Sequence, residues 1–454
     1  MLRIILISLL QLLLLNTGTS QVPIPTPAQL AWAGAEFGVI FHYDLHVFDG
    51  QPYNQAKNRI TPVADYNIFN PTQLDTDQWI LAAKNAGATF AILTVTHETG
   101  FALYQSDFNP YSLKALKWRD GKGDILRDFI QSCNKFGLLP AIYIGIRWNS
   151  FMGIHDFYVD GNAPISKNRQ AYYNTYCENI TRELVTKYGK FFFIWFDGGA
   201  HGPEQGGADL LPIISANQPD AIFYHNLQRA DVRWGGSESG TVPYPCWSTF
   251  AYPSWSQYAD AKNDFKAIKH GQENGAYFMP AMADAPLRGY KGRHEWFWEP
   301  GDEAHIFPVA RLMDMYEKSI GRNATLIIGL TPDASGLLPQ PDVDTLKAFG
   351  DLLKATYSTP VFSFSSDQKE IELPLPKGRK FDKIVIAEDQ SRGQRVRAFS
   401  LQVQQRGKWI TIAAGSSIGN KFIKKLDAPI SGQRIRLLIP KSENGHLIKA
   451  VTLY

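Results

Sequence analysis

The sequence predicts an α/β protein, with a (β/α)8-type barrel followed by a C-terminal antiparallel β-sandwich of jelly-roll type. Two observations support this prediction. From residue 35, apolar strands alternate with amphipathic helices over about 300 residues, and from residue 361 short strands with alternating polarity follow one another without a helical pattern. A length of 454 residues fits a large barrel with a smaller second domain. For the first part, a doubly wound parallel sheet is the alternative.

The N-terminus has the pattern of a secretory signal peptide. Arg3 precedes the apolar run IILISLLQLLLL, and the small residues of NTGTS follow it. We therefore expect cleavage near residues 20–21, and an exported protein that is secreted or periplasmic, with no stable membrane insertion after cleavage. The expected domains are a signal peptide at 1–20, the barrel at 21–357 and the sandwich at 358–454. A retained signal anchor is the alternative.

The barrel elements follow in order along the chain. The first four predicted strands are EFGVIFHY, TFAILTV, LPAIYIGI and KFFFIWF, and ATLIIGL is a late strand. Helices are predicted in DTDQWILAAKNAG, which begins near Asp75 or Asp77, in DILRDFIQSCNKFG and in residues 168–188. Residues 228–310 contain many Pro, Gly and Trp residues and show little periodicity, so the strands there are harder to place.

The sandwich is predicted from six short strands. They are KEIELPL, DKIVIAED, FSLQVQ, WITIAA, RIRLLIP and IKAVTLY. Residues 363–454 contain 17 Lys and Arg against 8 Asp and Glu, a net charge of +9. This basic module could hold an anionic glycan, but a solvated surface is the simpler interpretation.

Composition excludes several classes of function. A formal net charge of +3 on a chain of this length gives no basic field for nucleic acid, and we expect no nucleic-acid partner. The three cysteines cannot form a disulfide framework, and the helical spacing around Cys133 predicts a core residue.

Polar and aromatic residues stand where the predicted strands end, and in a barrel these ends form the active site. Asp197 follows the apolar run of the fourth strand and precedes two glycines, although a turn aspartate is an equal alternative there. The other candidates at strand ends are His42, His46, His97, Glu98, Arg147, Trp148, Asn149, His201, His225, Asn226, Arg233 and Trp234.

Two kinds of ligand fit such a set. A metal could be bound by His42, His97, Asp197 and His225. However, the first strand has no HxH pair, and the sequence has no helix with an HExxH motif. Sugar fits better, because Trp stacks on pyranose rings, His, Asn and Arg bond their hydroxyls, and carboxylates cleave the glycosidic bond.

Several stretches resemble glycoside hydrolase family 29, the α-L-fucosidases. WFDGG at 195–199 looks like the family's nucleophile motif, and SIGRNATLIIGLTPDASG at 319–336 is similar to its late-barrel signature. GDILRDFIQSCNKFGLLPAIYIG and DQSRGQRVRAFSLQVQQRGKW also resemble it, so the likeness covers nearly the whole mature chain. The resemblance implies a retaining hydrolase of oligosaccharides or glycoconjugates with Asp197 as nucleophile, no cofactor and no metal.

The resemblance also implies substrate-binding roles. His42 and His97 match histidines that bind fucose, Trp195 belongs to the WFDG motif, and Trp296 matches an aromatic residue near the fucose methyl group. Glu98 stands where the family has a second His, which leaves fucose or the closely related α-L-galactose as the substrate sugar. We expect Trp148, His225 and Arg233 to contact the substrate as well.

One departure concerns the general acid/base. The family's glutamate in a PAE-like stretch is replaced by Met282 in MPAMADAPLRG. We expect Asp284 to supply the acid, since alternation places residues 282 and 284 on the same side of a strand. Glu299 is the alternative, Glu295 and Glu303 are further candidates, and Asp284 could instead pair with Arg288. A sugar-binding homologue without catalysis is the competing function.

Overall fold

The computed structural model describes residues 22–161, 163–226, 228–254, 265–293 and 295–454, apart from the side chains of His225, Asn226 and Phe265. The predicted signal peptide at 1–20 therefore lies outside the described residues. In the described part, no helix has the length and apolar character that crossing a membrane requires.

Eight parallel strands form the N-terminal sheet. They are β1 (Phe37–Phe41), β2 (Phe90–Thr96), β3 (Leu139–Ile144), β4 (Phe193–Ala200), β5 (Ile222–Asn226), β6 (Arg233–Trp234), β7 (Ala281–Pro286) and β8 (Ala324–Leu330). Their order is β5-β4-β3-β2-β1-β8-β7-β6, so the sheet curls into a barrel, and among the described residues β5 and β6 share no ladder. There the Phe223 N–H donates to Asp231 Oδ2 at 2.8 Å, and the Asp231 N–H donates to the Phe223 carbonyl at 3.1 Å. The predicted barrel is confirmed, and the doubly wound sheet is wrong.

Helices surround this barrel. They are α1 (Pro27–Ala35), α2 (Gln55–Ile60), α3 (Thr76–Asn85), α4 (Ile125–Phe136), α5 (Pro164–Lys187), α6 (Leu211–Asn217), α7 (Phe265–His270), α8 (Val309–Ser319) and α9 (Gln340–Tyr357). Local capping sets where they begin: the Asp75 carboxylate accepts the N–H groups of Asp77 and Gln78 at the start of α3, as its predicted N-cap role requires. Cys133 is buried in α4, as predicted.

The barrel has an inner and an outer core. Strand side chains such as Ile92, Tyr143, Trp195 and Met282 fill the inside, and a larger apolar cluster joins the outer strand faces to the helices. Because both faces are covered, the strands read as continuous apolar runs without alternation. In residues 228–310, β6 has only 2 residues and β7 has the weakly apolar sequence AMADAP, which accounts for the weak signal there.

Eight antiparallel strands form the C-terminal sandwich. They are β9 (Phe362–Ser366), β10 (Glu370–Pro374), β11 (Phe381–Glu388), β12 (Val396–Gln405), β13 (Lys408–Gly415), β14 (Phe422–Ile430), β15 (Arg434–Ser442) and β16 (Ile448–Leu453). Two four-stranded sheets, β9-β16-β11-β14 and β10-β15-β12-β13, pack around one apolar core. This confirms the predicted sandwich.

A buried polar network joins the two domains. The Asn323 side chain donates to the Cys246 carbonyl at 3.1 Å and to Ser248 Oγ at 2.9 Å, and accepts the Asn420 N–H at 2.7 Å. The Ser248 N–H donates to Gln394 Oε1 at 2.7 Å. Buried polar groups are costly when unpaired, so this network fixes how the sandwich docks on the barrel.

Candidate active site

A cavity opens where the barrel strands end. Its empty space, including the mouth, is about 450 Å³. Strand-end side chains and segments that follow β1, β6 and β7 supply its wall, which consists of Ile40, His42, Tyr53, Gln55, His97, Glu98, Tyr143, Trp195, Asp197, Glu238, Asp284 and Trp296. The C-terminal face of the barrel thus gathers most of the predicted residues, as barrel topology requires.

Asp197 lies in the cavity because of the local backbone of β4. Phe193 to Phe196 are buried, and the chain then passes through Gly198 and Gly199, which have φ of 68° and 101°. A Cβ at Gly198 would lie 2.6 Å from Arg147 Cδ, so only glycine fits there. The Tyr143 hydroxyl donates to Asp197 Oδ2 at 3.2 Å.

The electrostatic surroundings of Asp197 oppose its ionisation. Its side chain is open to water in the cavity, but protein encloses it on the other sides, and this burial is the main cause that raises its pKa. Glu238 raises the pKa further, whereas His97 and the Tyr143 hydroxyl act in the opposite direction. Asp197 is therefore a carboxylate whose charge its neighbours partly stabilise.

The two histidines are neutral at physiological pH. Burial, followed by repulsion from His97 and His46, lowers the pKa of His42 well below its usual value. Burial also lowers the pKa of His97 to about 4, although Asp197 opposes this shift. The His97 ring stacks on Tyr143, with centroids 5.3 Å apart. Neutral imidazole offers one donor and one acceptor, which suits hydroxyl groups.

Polar atoms of the cavity wall lack partners. Among the described residues, Nδ1 of His42, Nδ1 of His97 and Nε1 of Trp195 are buried without a hydrogen bond. Such atoms are costly unless a ligand pairs with them. A ligand with several hydroxyl groups would supply both donors and acceptors.

Glu98 is held by two neighbours from the segment after β1. Arg59 Nε donates to Oε1 at 2.8 Å, and the Tyr53 hydroxyl donates to Oε2 at 3.2 Å. Burial nevertheless raises the pKa of Glu98, with Arg59 opposing the shift. Glu98 also lines a smaller adjoining pocket, together with Arg147 and Trp148. In this pocket Trp148 lies between two cations, with the Arg59 guanidinium 4.6 Å and that of Arg147 5.7 Å from its ring centre.

Asp284 lies inside the cavity, two residues after Met282 in β7. Trp234 Nε1 donates to its Oδ1 at 2.7 Å. Burial is the main cause that raises the pKa of Asp284 well above its usual value, and Glu238 and Asp197 add to it. Met282 is 0% exposed in the inner core. The predicted pairing of Asp284 with Arg288 is wrong, because Arg288 binds Asp302 and Asp342 instead.

The structure adds a third carboxylate, Glu238, which the sequence analysis did not identify. It lies in GGSESG, directly after β6, and its Oε2 accepts a hydrogen bond from Trp296 Nε1 at 3.2 Å. Glu238 is half-buried, whereas Asp284 is 3% exposed. The available signal was an acid in a glycine-rich stretch after a strand, of the kind that drew attention to Asp197.

Other predicted residues lie elsewhere. Arg233 is fully buried and donates to the carbonyls of Trp247 and Ile268, so binding substrate would require it to give up these bonds; it is not among the described cavity residues. Glu299 pairs with Arg293 and accepts a hydrogen bond from the Tyr53 N–H. It therefore holds Tyr53, a residue of the cavity wall, in place.

The remaining candidates are distributed as follows. Trp195 and Trp296 line the cavity, and Trp296 packs on His42 with centroids 5.0 Å apart. His225 is the last but one residue of β5, but its side chain is outside the described part. Glu295 and Glu303 are not in the described cavity wall. Among the described residues, no group of three His, Cys, Asp or Glu could hold a metal ion.

Comparisons with known proteins agree with this geometry. The α-L-fucosidase family model matches residues 28–357, and the F5/8 type C domain model matches residues 353–451. The chain is 26% identical to α-L-fucosidase 1 of Arabidopsis thaliana over 95% of its length and 88% of that protein.

Solved structures have the same fold. A Bacteroides thetaiotaomicron VPI-5482 protein with the provisional name α-L-fucosidase superposes with a TM-score of 0.93 at 53% identity, covering 95% of this chain and 99% of its own. A glycoside hydrolase 29 family member from an unknown rumen bacterium has a TM-score of 0.80 at 26% identity, over 95% of this chain and 77% of its own. A family model that matches most of the barrel, together with these relatives, makes this chain a glycoside hydrolase of the α-L-fucosidase family, family 29.

Proposed function

We propose that this protein is an exported, retaining exo-α-L-fucosidase that removes terminal α-L-fucosyl or closely related α-L-galactosyl residues from glycans. The observation that carries the proposal is the placement of Asp197 in a cavity that it shares with neutral histidines and with Glu238. Such a cavity accepts one terminal sugar and supplies the two carboxylic groups that retaining hydrolysis needs.

Asp197 is the nucleophile in this mechanism. Its Oδ attacks the anomeric carbon as the bond to the leaving oxygen breaks, forming a covalent glycosyl ester. The Tyr143 hydroxyl stabilises the carboxylate before attack. Water then cleaves the ester, which restores Asp197 and releases the sugar with retained configuration.

Glu238 is our choice for the acid/base. In an exo-acting pocket the leaving group lies toward the mouth, and a half-buried residue on a loop can reach it. Glu238 protonates the leaving oxygen in the first step and takes a proton from water in the second. Its hydrogen bond from Trp296 orients the carboxyl group.

Asp284 has a different role in this proposal. It is buried on a strand, and its raised pKa keeps it protonated over a wider range than an ordinary aspartate. A protonated, Trp234-bound carboxyl group is suited to contact a sugar hydroxyl from inside the pocket. This moves the acid/base assignment from Asp284, the sequence-based expectation, to Glu238.

Sugar recognition follows from the remaining wall. His42 and His97 exchange hydrogen bonds with ring hydroxyls, and Trp296 packs against an apolar part of the sugar. Glu98 is a hydrogen-bond acceptor that demands a hydroxyl donor. Since L-galactose differs from L-fucose by one added hydroxyl, Glu98 is the residue through which the two sugars could be distinguished.

A silent sugar-binding protein is not favoured. That alternative rested on Met282, but Met282 packs in the inner core, and the cavity has two other candidate acids. An aryl α-L-fucoside with a good leaving group tests it directly, together with the corresponding galactoside. Release of the aryl group from neither would support the silent alternative.

Export rests on the first twenty residues. Expression of the full chain in a bacterial host should deliver a protein to the periplasm or medium that begins near Gln21, as measured by intact mass. A chain that lacks residues 2–20 should stay in the cytoplasm. Retention of the full-length mass in the membrane fraction would indicate a signal anchor instead.

Alanine variants of the three carboxylates test the mechanism. Asp197→Ala should lower kcat on every fucoside by several orders of magnitude, and a slow fluorinated fucoside should label Asp197 in the parent enzyme. Near-normal turnover of Asp197→Ala would refute its role.

The acid/base is assigned by leaving-group dependence. Glu238→Ala should harm fucosides with poor leaving groups far more than activated aryl fucosides, and azide should restore turnover of the latter with formation of fucosyl azide. Asp284→Ala, from the same cavity, is the matched control and should show neither behaviour. If Asp284→Ala or Glu299→Ala shows both and Glu238→Ala neither, the role belongs to that residue.

A further inference from the structure

We propose that the far end of the sandwich binds a negatively charged polysaccharide. Three loops form an open groove there, which we call the distal groove: residues 375–378, 404–406 and 431–433. Its empty space, counted out to open solvent as for the active-site cavity, is about 1170 Å³.

The distal groove is remote from the barrel. Strand β14 starts at Phe422, which is bridged to Arg322 of the barrel, and ends at Ile430, directly before the groove. Strand β13 starts at Lys408, beside the groove, and ends at Gly415, where Tyr244 of the barrel packs. At about 3.3 Å per residue, roughly 25 Å separate the groove from these barrel contacts. A ligand there would not compete with barrel packing.

Cations without partners surround the groove. Lys377 and Arg406 line it, and Arg379, Lys380 and Lys408 flank them; all five are exposed. In the described part of the chain, none of the five has a carboxylate within ion-pair distance. Two acids of β10 already have partners: Glu372 lies 2.6 Å from Arg434, and Glu370 lies 3.8 Å from Arg436. The positive charge is therefore available to a ligand.

The rest of the lining favours a hydroxyl-rich ligand. Gln404, Gln405, Gln433 and Ser431 supply amide and hydroxyl groups, and Gln405 Nε2 donates to the Ser431 carbonyl at 2.6 Å, which joins two of the loops. Among the described residues that line the groove, none is aromatic, so charge and hydrogen bonds would hold the ligand instead of stacking. Single-stranded nucleic acids typically add stacking on aromatic side chains, and a glycan with sulfate or carboxylate groups matches the cations and the amide and hydroxyl groups.

Arg406 lies in a turn whose backbone conformation disfavours arginine. Arg406 and Gly407 form the two-residue turn between β12 and β13, with φ of 48° and 77°. Such turns strongly prefer Asn before Gly, because most side chains are strained at positive φ. Arg406 is strained at this position, and the turn places it at the edge of the distal groove.

Binding to polymers of defined charge tests the proposal on the full chain. The probes are dextran sulfate, polygalacturonate and, as a neutral control, dextran. We expect one or both charged polymers to bind with a salt-dependent Kd, and the stronger of the two identifies sulfate or carboxylate as the recognised group. Dextran should not bind. If neither charged polymer binds, the proposal is overturned.

Two double variants locate the site. Lys377→Gln with Arg406→Asn should weaken binding about tenfold. The matched control is Lys424→Gln with Lys425→Gln, which removes the same charge from exposed positions on β14 and should change Kd less than twofold. Equal weakening by both pairs would show only a diffuse field and overturn the site. The assignment to a polysaccharide would also be overturned if an oligodeoxynucleotide bound as tightly as the charged polymers and if Lys377→Gln with Arg406→Asn abolished that binding.

Two further readouts separate binding from folding and catalysis. Arg406→Asn alone should raise Tm, because it relieves the turn, while it weakens polymer binding. A lowered Tm together with weaker binding would mean that the arginine acts through folding. Hydrolysis of an aryl fucoside should be unchanged in every groove variant, so this test does not depend on the proposed mechanism.

Discussion

Burial raises the pKa of Asp197, and the Tyr143 hydroxyl opposes this shift. It donates a hydrogen bond to Asp197 Oδ2 and stabilises the charged form. Tyr143→Phe removes this bond and keeps the ring that stacks on His97. The pKa of Asp197 should therefore rise further above its usual value, and the acidic limb of kcat/KM should move to higher pH, because only ionised Asp197 attacks.

The magnitude follows from the geometry. Hydrogen bonds to charged groups contribute about 1.5–3 kcal/mol, but 3.2 Å is long compared with about 2.6 Å for strong O–H···O⁻ bonds. A value near 1 kcal/mol is then reasonable, which corresponds to about 0.7 pH unit. The profile of kcat/KM reports the free enzyme, the state that the structure describes.

The assay is the pH profile of aryl α-L-fucoside hydrolysis for three proteins. Tyr53→Phe is the control, because it removes a hydroxyl at the same 3.2 Å from a different carboxylate of the cavity, Glu98. Its acidic limb should coincide with that of the parent enzyme. An unmoved limb in Tyr143→Phe, a shift to lower pH, or an equal shift in both variants would refute the role of Tyr143.

Three other substitutions have defined outcomes. Asp284→Asn should raise Tm at neutral pH and have little effect below about pH 4. The folded-state pKa of Asp284 is raised, so the folded protein is destabilised when pH rises above the unfolded-state pKa and the buried carboxyl group must ionise or hold its proton against the solvent. Equal Tm gains at both pH values would contradict this. Arg288→Ala should lower the free energy of unfolding by about 3–5 kcal/mol in denaturant titrations, since it leaves buried Asp342 and Asp302 unpaired, and a loss below 1 kcal/mol would show the pairs to be dispensable. Glu98→His should change the ratio of kcat/KM between L-fucosides and L-galactosides; a constant ratio would make Glu98 only a structural partner of Arg59.

The barrel and the position of Asp197 were predictable, because a buried parallel strand has a strong apolar signal and its end is fixed in space. Strand β6 shows the limit of that argument. Arg233 and Trp234 both end β6, but successive side chains alternate, so Trp234 reaches Asp284 while Arg233 turns to the outer loops. A strand of two residues in an aperiodic segment has no alternation pattern, so the sequence does not show which of the two side chains faces the inside of the barrel.

Residues on loops were less predictable for a different reason. Glu238 reaches the cavity through a glycine-rich segment, and Arg59 reaches Glu98 from a helix that follows β1 by many residues. Their partners are distant in sequence, and only tertiary packing brings them together. The strand end at Glu98 was visible in the sequence, but the cation that neutralises it was not.

The Asn323 network has a consequence for how this enzyme can be divided. The motif GRNATL, one of the family's signatures, presents Asn323 to the sandwich and to Ser248, and Asn323 is not part of the described cavity wall. Cutting the chain at residue 357 would remove the Asn420 N–H that Asn323 accepts and the Gln394 oxygen to which the Ser248 N–H donates, and it would expose barrel surface that the sandwich now covers. The two domains should therefore melt in a single transition, and in this protein a residue of the GRNATL motif joins the domains instead of lining the cavity.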